Sequence, residues 1–292
     1  MRKLYITFGS LLICIGVALF LFYDSGIYRM NLSKETKALY KKVVNEVSSG
    51  KVQVNYREVI AADGAINYGS VDSSTESSIR KIAERFIVEG ERGKYKTRSL
   101  SEVVKSLGGK GDETDSAKKY LKILNKQYKL NKDYKEDFVS EIEDKVLEVS
   151  EKTGILPSVI MGQAILESNW GRSKLSDKYN NLFGIKAQNG YTGKKVNLKT
   201  SENYKETIND DFRVYDDFEE SLDDYGEFMV KNPRYKKAGV FSEKTYYNQV
   251  KAIENAGYST IKNESGEAVY AQYVANIIYQ NDLEILDTLI EK

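Results

Sequence analysis

The sequence predicts a mostly helical protein of the α+β class, with a small β-hairpin set among the helices of its C-terminal half. Apolar residues recur at three- and four-residue spacing through most of the chain, which is typical of amphipathic helices. The stretch KKVNLKTSENY (194–204) instead alternates with period two, as a half-buried strand does. Near the N-terminus, Leu4–Tyr23 is a run of 20 uncharged, mostly apolar residues.

The apolar run is long enough to cross a membrane. At about 1.5 Å per residue, a helix of this length spans the roughly 30 Å hydrocarbon core of a bilayer. The alternative is a cleaved signal peptide, whose apolar core is usually about 7–15 residues and precedes a small-residue cleavage site. The sequence LFLFYDS at the end of the run contains no such site. We therefore expect an uncleaved transmembrane anchor at residues 4–23, after a cytoplasmic tip at 1–3.

The orientation of the anchor follows from its flanking charges. Arg2 and Lys3 favour an N-terminus inside the cell, although Arg29, Lys34 and Lys37 on the other side weaken the bias. We expect a single-pass protein of the cell membrane with the rest of the chain outside. Residues 24–50 then form a helical stalk, residues 51–137 a helical accessory or spacer region, and residues 138–292 the final domain. The 51–137 region carries no motif with recognisable chemistry, and a role in binding a protein partner stays open.

The composition excludes several classes of protein. The 44 basic and 43 acidic residues nearly balance, whereas nucleic-acid binders usually carry a basic excess. The chain has no histidine and a single cysteine, Cys14, which lies in the apolar run. A Ser-His-Asp triad is therefore impossible, and a zinc site lacks its preferred ligands. We expect no metal or cofactor, and an enzyme of this composition must use Asp, Glu, Lys or Tyr for proton transfer.

One glutamate is isolated in an apolar helix of the final domain. The segment FVSEIEDKVLEVSEKTG predicts an amphipathic helix ending before Gly154, and Pro157 suits the first turn of the next helix, which extends to about Trp170. This second helix is apolar on nearly every side, so it should be buried. Glu167 is its one charged residue. Burial raises the pKa of a carboxyl group, and a carboxylic acid that stays protonated near neutral pH can act as a general acid.

Two structural interpretations compete with this catalytic one. Glu167 could form a buried ion pair with a lysine or arginine, or it could extend from the helix end into solvent.

A second acidic candidate lies in the predicted hairpin. Alternation places Glu202 on the same face as Val196 and Leu198, and TINDDFRVY (207–215) predicts the return strand. Glu202 is therefore the best-placed second carboxylate. It could equally be an exposed acid on an edge strand, and its competitors as the second carboxylate are Glu206, Asp210 and Asp211.

Aromatic residues are abundant in the same region, with twelve of the 22 tyrosines lying between residues 179 and 279. Tyrosine rings pack against the C–H faces of sugars and their hydroxyls form hydrogen bonds, so this density suits a carbohydrate cleft, although core packing explains many of these residues.

The ordered motifs of this region resemble a known enzyme family. A-x-x-E-S-x-W-G-x-S, N-N-L-F-G-I-K and F-R-x-Y-x-x-x-x-x-S follow one another, and NPRY and AGYST come after them. Over about residues 139–288 the chain is similar to glycoside hydrolase family 73, the bacterial endo-β-N-acetylglucosaminidases that cut peptidoglycan strands. The resemblance implies a lysozyme-like helical domain with a β-hairpin beside its active-site cleft.

The resemblance also implies roles for individual residues. Glu167 takes the position of the catalytic acid, and Glu202 that of the more variable second acid. Asn181 and Phe183 match a turn beside the cleft, while Tyr258 and Tyr270 match aromatic residues of the substrate site. The sequence departs from the family pattern after Tyr258, where GYSTIKNESGEAVYA replaces the frequent Gly-Tyr-Ala-Thr-Asp-Pro.

The implied reaction is hydrolysis of the β-1,4 bond between N-acetylglucosamine and N-acetylmuramic acid. The acid protonates the leaving oxygen, while the second carboxylate either directs a water or stabilises the oxocarbenium-like transition state; assistance by the substrate's N-acetyl group is a further alternative. A muramidase or lytic transglycosylase of the same fold, and a non-catalytic glycan-binding scaffold, are the other functional interpretations.

Overall fold

The computed structural model describes residues 32–128, 134–188, 190–202 and 206–290, which fall into two compact units. Among the described residues, the N-terminal unit comprises 32–47 and 54–128, and the C-terminal unit comprises 48–53, 134–188, 190–202 and 206–290. Over the described ranges, no helix is both long enough and apolar enough to cross a membrane. The anchor predicted at Leu4–Tyr23 lies outside the described residues.

The N-terminal unit is helical with one small hairpin. Its elements are α1 (Lys34–Ser48), α2 (Tyr56–Ile66), α3 (Glu76–Phe86), β1 (Ile87–Glu89), β2 (Tyr95–Thr97), α4 (Leu100–Ser106) and α5 (Gly111–Tyr128). β1 and β2 pair antiparallel. This hairpin differs from the purely helical region predicted for 51–137, because three-residue strands are too short to show period two above the helical pattern around them.

Helix α1 is part of this unit, whereas the sequence predicted a stalk over 24–50. Tyr40, Val43 and Val44 on one face of α1 are fully buried. The Tyr40 hydroxyl donates a hydrogen bond to Asp63 on α2, and Asp63 also accepts one from Ser74 at 2.6 Å. Asp63 is itself fully buried, so these donors satisfy a carboxylate that would otherwise be costly to bury.

The C-terminal unit surrounds one core with helices and carries the second hairpin. Its elements are α6 (Tyr134–Thr153), α7 (Pro157–Ser168), α8 (Lys174–Tyr179), β3 (Lys195–Glu202), β4 (Glu206–Arg213), α9 (Phe218–Lys231), α10 (Pro233–Lys237), α11 (Tyr246–Asn255), α12 (Tyr270–Gln280) and a 3-10 segment, Leu283–Thr288. The structure is thus mostly helical with two small antiparallel sheets, as the predicted α+β class requires.

The ends of α6 and α7 follow from local sequence signals. α6 stops before Gly154, which has a φ of 77° that glycine adopts without a steric penalty. Pro157 occupies the first turn of α7, where its missing N–H costs nothing. α7 ends at Ser168, two residues earlier than predicted, because Asn169 and Trp170 both adopt positive φ.

The hairpin of β3 and β4 confirms the period-two prediction. The register pairs Val196 with Phe212 and Glu202 with Glu206. Val196 and Leu198 are partly buried, while Asn197 between them is exposed.

Helix α7 lies at the centre of this unit and packs against α6, α11, α12 and the 3-10 segment. Its residues Val159, Ile160, Met161 and Ala164 are fully buried. The contact with α12 is close at Gly162, where a Cβ atom would lie 2.8 Å from Ile278 Cγ1. A buried helix held this tightly fixes the direction in which its last turn presents Glu167.

Candidate active site

Glu167 opens into a cleft of about 530 Å³ in the C-terminal unit. The cleft is bounded by the end of α7, the turn at 183–188, the end of β4, the last turns of α9, the start of α10 and the loop at 258–261. Its size is that of a small-molecule binding site. The lining mixes aromatic side chains, including Phe228 and Tyr258, with charged groups, including Arg213 and Asp224.

Glu167 is exposed, which corrects the expectation of a buried side chain on a buried helix. The preceding turn of α7 is enclosed, but the helix ends at the cleft and its last turn presents the carboxyl there. The carboxyl is nevertheless partly desolvated where it meets Tyr270, since that contact is part-buried. This desolvation raises the pKa of Glu167 above the ordinary value of a glutamate, while a hydrogen bond from Tyr270 lowers it in part.

Tyr270 is the hydrogen-bond partner of Glu167. Its hydroxyl donates to Glu167 Oε1 at 2.9 Å and accepts from Gln163 Nε2 at 2.8 Å. The Tyr225 hydroxyl donates to Gln163 Oε1 at 2.5 Å. These four residues form a continuous chain, Tyr225–Gln163–Tyr270–Glu167. Desolvation raises the pKa of Tyr225 and Tyr270 well above that of a free phenol, so both hydroxyls stay protonated and able to donate.

The structure separates the alternatives for Glu167. Within the part of the chain that the structure describes, no lysine or arginine forms an ion pair with it. The side chain does not extend from the helix end into open solvent either, because it lies in the cleft. An acid with a raised pKa, no counter-ion and one hydroxyl donor can carry a proton and release it to a ligand.

Aromatic rings form one side of the cleft. The rings of Tyr258 and Tyr270 have centroids 5.4 Å apart, and Tyr235 lies 6.4 Å from Tyr258. Tyr258 is half-buried and faces the cleft, whereas Tyr270 is almost completely buried and reaches it only through Glu167. Ile261, at the departure from the family pattern, is exposed and lines the cleft.

The turn at 181–185 places Phe183 in the cleft wall. Asn181 holds this turn, because its side-chain amide donates to Ile185 O at 3.0 Å and Arg213 O at 2.9 Å while its Oδ1 accepts from Ile185 N. Phe183 stacks on Tyr225 with centroids 4.0 Å apart. Asn181 is buried and its amide is fully engaged, so in this structure it shapes the turn and does not line the cleft.

The acids of the hairpin occupy different environments. Glu202 and Glu206 are paired at the hairpin end, and their side chains lie outside the described part of the structure. Asp210 pairs with Lys186 at 2.6 Å. Asp211 accepts hydrogen bonds from Asn197 at 2.8 Å and Lys195 at 2.6 Å, which lower its pKa. An acid held ionised in this way is poorly suited to donate a proton.

Two polar features that the sequence did not single out lie in the cleft wall or behind it. Arg213, at the end of β4, binds both carboxylate oxygens of Asp224 on α9 at 2.6 and 2.7 Å. Gln163 connects Tyr225 to Tyr270. Gln163 did carry a signal, since it is a polar residue one helical turn before Glu167 on an apolar helix. The Arg213–Asp224 pair carried none, because neither residue stands out from its charged neighbours.

The C-terminal unit matches a known protein family. The family profile described as mannosyl-glycoprotein endo-beta-N-acetylglucosaminidase matches residues 143–283. Residues 143–283 are a glucosaminidase-family domain. This match agrees with glycoside hydrolase family 73, the family that the motifs of residues 139–288 indicated.

Relatives of the glucosaminidase domain include enzymes with different named activities. Exo-glucosaminidase LytG of Bacillus subtilis is 36% identical over 143 residues, which cover 47% of this chain and 48% of LytG. A probable N-acetylmuramidase of Lactococcus lactis is 38% identical over 52% of this chain and 35% of that protein. This chain therefore spans about half the length of the first relative and about a third of the second.

A solved structure matches the same half of the chain. The catalytic domain of the autolysin Auto from Listeria monocytogenes is 30% identical, with a TM-score of 0.46, over 53% of this chain and 89% of that domain.

Proposed function

We propose that this protein is a membrane-anchored peptidoglycan hydrolase that cleaves the β-1,4 bond between N-acetylglucosamine and N-acetylmuramic acid, with Glu167 as the general acid. The observation that carries the proposal is the state of Glu167. Its carboxyl opens into a cleft of sugar-binding size, has a raised pKa and contacts the Tyr270 hydroxyl in place of a cation. The family of residues 143–283 supports the same chemistry.

In the proposed reaction, Glu167 transfers its proton to the glycosidic oxygen as the bond to the sugar breaks. The departing sugar leaves as an alcohol, and Glu167 becomes a carboxylate. Tyr270 then donates its hydrogen bond to a charged acceptor, which stabilises the product of proton transfer. A water molecule completes the hydrolysis and returns a proton to Glu167.

Glu202 is proposed as the second carboxylate, because alternation along β3 places it on the face of Val196 and Leu198 and it takes the position of the family's second acid. Two substitutions distinguish the contribution of Glu202 to catalysis from that of Glu206. Glu202→Gln should reduce kcat more than Glu206→Gln if Glu202 directs water or stabilises the transition state. Equal and small effects of both would favour assistance by the substrate's own N-acetyl group.

A muramidase is the second candidate, and the Lactococcus lactis relative is the observation that favours it. Muropeptides released from purified peptidoglycan by the full chain would be reduced and analysed by mass spectrometry. Reducing-end N-acetylglucosamine supports the main proposal, reducing-end N-acetylmuramic acid a muramidase, and 1,6-anhydro ends a lytic transglycosylase. Product lengths also separate an endo-acting enzyme from an exo-acting one such as LytG.

The matched control is Glu167→Gln, which keeps the shape of the side chain and an acceptor for Tyr270 but cannot supply the proton. We expect a loss of activity on the order of 10²–10⁴-fold, the usual contribution of general acid catalysis. If the wild type and Glu167→Gln bind glycan strands equally well and neither releases any product, the protein is a non-catalytic scaffold.

Residues 4–23 are proposed to hold the enzyme at the outer face of the cell membrane, close to newly made peptidoglycan. The support is the length and apolar character of this run. Residues 24–137 then separate the glucosaminidase domain from the membrane. If cells that carry only the soluble part of the chain keep the same glycan-length distribution as the wild type, anchoring has no part in the function.

A further inference from the structure

The hydrogen bonds that connect Tyr225, Gln163, Tyr270 and Glu167 all donate in one direction, towards Glu167. A phenol hydroxyl carries one proton, so it donates one hydrogen bond at a time, and a glutamine amide donates only from nitrogen and accepts only at oxygen. Tyr225 donates to Gln163 Oε1, and Gln163 Nε2 donates to the Tyr270 hydroxyl. If the single proton of Tyr270 points at Glu167 Oε1, Tyr258 is the donor in the hydrogen bond that its hydroxyl shares with Tyr270.

We propose that Gln163 is a positioning residue, whose amide fixes the direction of this hydrogen-bond chain so that Tyr270 donates to Glu167. The inference rests on the proposed function only in taking Glu167 as the proton donor, since the hydrogen-bond geometry stands without it. Gln163 does not line the cleft, so it acts on the reaction only through Tyr270.

Burial protects the direction of the chain. Gln163 and Tyr225 are fully buried and Tyr270 is 1% exposed, so water does not compete for their polar atoms. Reversing the Gln163 amide would bring its nitrogen to Tyr225 and its oxygen to Tyr270. The Tyr270 hydroxyl would then donate its one hydrogen bond to Gln163 Oε1. Glu167 could keep its contact with Tyr270 only as the donor, which requires Glu167 to be protonated. The direction of the chain and the proton on Glu167 are therefore coupled.

The observed direction favours the carboxylate form of Glu167, because a hydrogen bond donated to a charged acceptor is stronger than one to a neutral acceptor. The hydrogen bond from Tyr270 therefore lowers the pKa of Glu167, whereas desolvation raises it. The pKa of Glu167 is thus raised less than desolvation alone would raise it, so the acid keeps its proton to higher pH than an ordinary glutamate and can still release it.

Other groups also face Glu167. Tyr258, on the loop after α11, interacts with it electrostatically, as do Tyr225 and Tyr270. The charged residues along the cleft are Lys186, Arg213, Asp224, Glu227, Lys231 and Arg234. Arg213 is paired with Asp224, Lys231 with Glu227 and Lys186 with Asp210. The Arg234 guanidinium donates to Gly257 O at 3.1 Å and to the Tyr235 hydroxyl at 2.6 Å.

The test is the pH dependence of kcat/KM for the full chain and its Gln163→Met variant. A general acid must be protonated, so activity falls as pH rises through the pKa of Glu167. Without the Gln163 donor, Tyr270 is free to accept a hydrogen bond from protonated Glu167, which favours the protonated acid. We expect the alkaline limb of the profile to move to higher pH by on the order of half a pH unit.

Two further variants show whether the effect passes through Tyr270. Tyr270→Phe removes the donor to Glu167 and should move the alkaline limb in the same direction by at least as much. Adding Gln163→Met to Tyr270→Phe should then move the limb no further. An additional shift in the double variant would mean that Gln163 acts on Glu167 by another route, and the proposal would be overturned.

The matched control is Gln249→Met. Gln249 is also a fully buried glutamine of this unit, but its amide bonds Leu156 N at 2.7 Å, Gly154 O at 3.2 Å and Val240 O at 2.9 Å. This variant should lower the melting temperature without moving the alkaline limb. A limb that is unmoved in Gln163→Met, or moved equally in Gln249→Met, would show that Gln163 has only a structural role.

A direct titration separates the inference from the proposed function. The carboxyl resonance of Glu167 would be followed by NMR in the full chain labelled with ¹³C at the glutamate side chains, and assigned with Glu167→Gln. Its midpoint should rise in Gln163→Met even if the wild type hydrolyses no peptidoglycan, in which case the proposed function alone fails. If Gln163→Met does not fold, Tyr225→Phe removes the donor that orients the amide. An unchanged Glu167 midpoint in that variant would overturn the inference.

Discussion

At the scale of single residues, the raised pKa of Glu167 lowers the stability of the folded protein at neutral pH. Desolvation raises the pKa of its carboxyl, and Tyr270 only partly opposes the effect. Between the pKa of the unfolded chain and the higher pKa of the folded protein, the folded state binds more protons. The free energy of unfolding therefore falls as pH rises through that window.

Glu167→Gln should remove this pH-dependent loss of stability. The amide keeps a hydrogen-bond acceptor for Tyr270 and carries no charge to desolvate. We expect the variant to melt at a higher temperature than the wild type at neutral pH, and the advantage to disappear below the ordinary glutamate pKa. Thermal unfolding across pH measures it, with the exposed Glu141→Gln on α6 as control. A difference in melting temperature between Glu167→Gln and the wild type that stays the same at every pH would contradict the raised pKa of Glu167.

The sequence could identify Glu167 but not its surroundings. A single charge in an apolar helix is visible in the primary structure, and so is the helix start at Pro157. The exposure of Glu167 depends on where α7 ends relative to the cleft, and its partner Tyr270 lies 103 residues further along the chain. Asn181 was expected at the substrate, yet its amide is engaged with Ile185 and Arg213. Contacts between distant segments have no periodic signature, so the sequence pattern does not contain them.

At the scale of elements, the cleft depends on how the hairpin and the helices are held together. Arg213 at the end of β4 is joined to Asp224 on α9, and the Tyr215 hydroxyl also donates to Asp224 at 2.5 Å. The side chains of Arg213 and Asp224 are about four-fifths buried. The hairpin itself was predictable because period two differs from the helical periods around it, whereas its attachment to α9 was not.

Asp224→Asn should loosen the hairpin from α9. The amide offers one acceptor oxygen where the carboxylate offers two, and it leaves the Arg213 charge without its counter-ion. We expect a loss of about 2 kcal/mol in the free energy of unfolding, measured by urea denaturation. Glu227→Gln, which breaks the exposed pair with Lys231 on the same helix, should cost less than about 0.5 kcal/mol. Equal losses in both variants would mean that the partly buried pair adds nothing beyond an exposed one.

The contact between α7 and α12 should be sensitive to a single methyl group. Gly162→Ala places a Cβ atom 2.8 Å from Ile278 Cγ1 and 3.2 Å from Val274 Cγ1, and both side chains are fully buried. We expect a destabilisation of roughly 1–3 kcal/mol, the usual cost of overpacking, together with a lower kcat, because α12 carries Tyr270. Gly111→Ala, where nothing lies within 4 Å of the new Cβ atom, is the control and should be neutral or slightly stabilising. A fully stable Gly162→Ala would show that α12 can shift without cost.

At the scale of the whole molecule, the two compact units differ in what their sequences reveal. The C-terminal unit contains the cleft and the glucosaminidase-family match. The N-terminal unit buries a carboxylate, Asp63, whose hydrogen bonds from Tyr40, Asn67 and Ser74 offset the cost of burying its charge.

Deleting residues 1–23 should release the protein from the membrane without changing its chemistry. The run Leu4–Tyr23 carries no charge over a length that spans the hydrocarbon core, so the full chain should stay with membranes after carbonate extraction while the shortened chain becomes soluble. Both should give the same muropeptide products from purified peptidoglycan, because the cleft lies within the C-terminal unit. Replacing residues 4–23 with an alanine–leucine helix of equal length should restore membrane retention and, in cells, the glycan-length distribution of the wild type. Retention without that restoration would mean that the native segment does more than anchor the enzyme, and a shortened chain that stays with the membrane would place the attachment elsewhere.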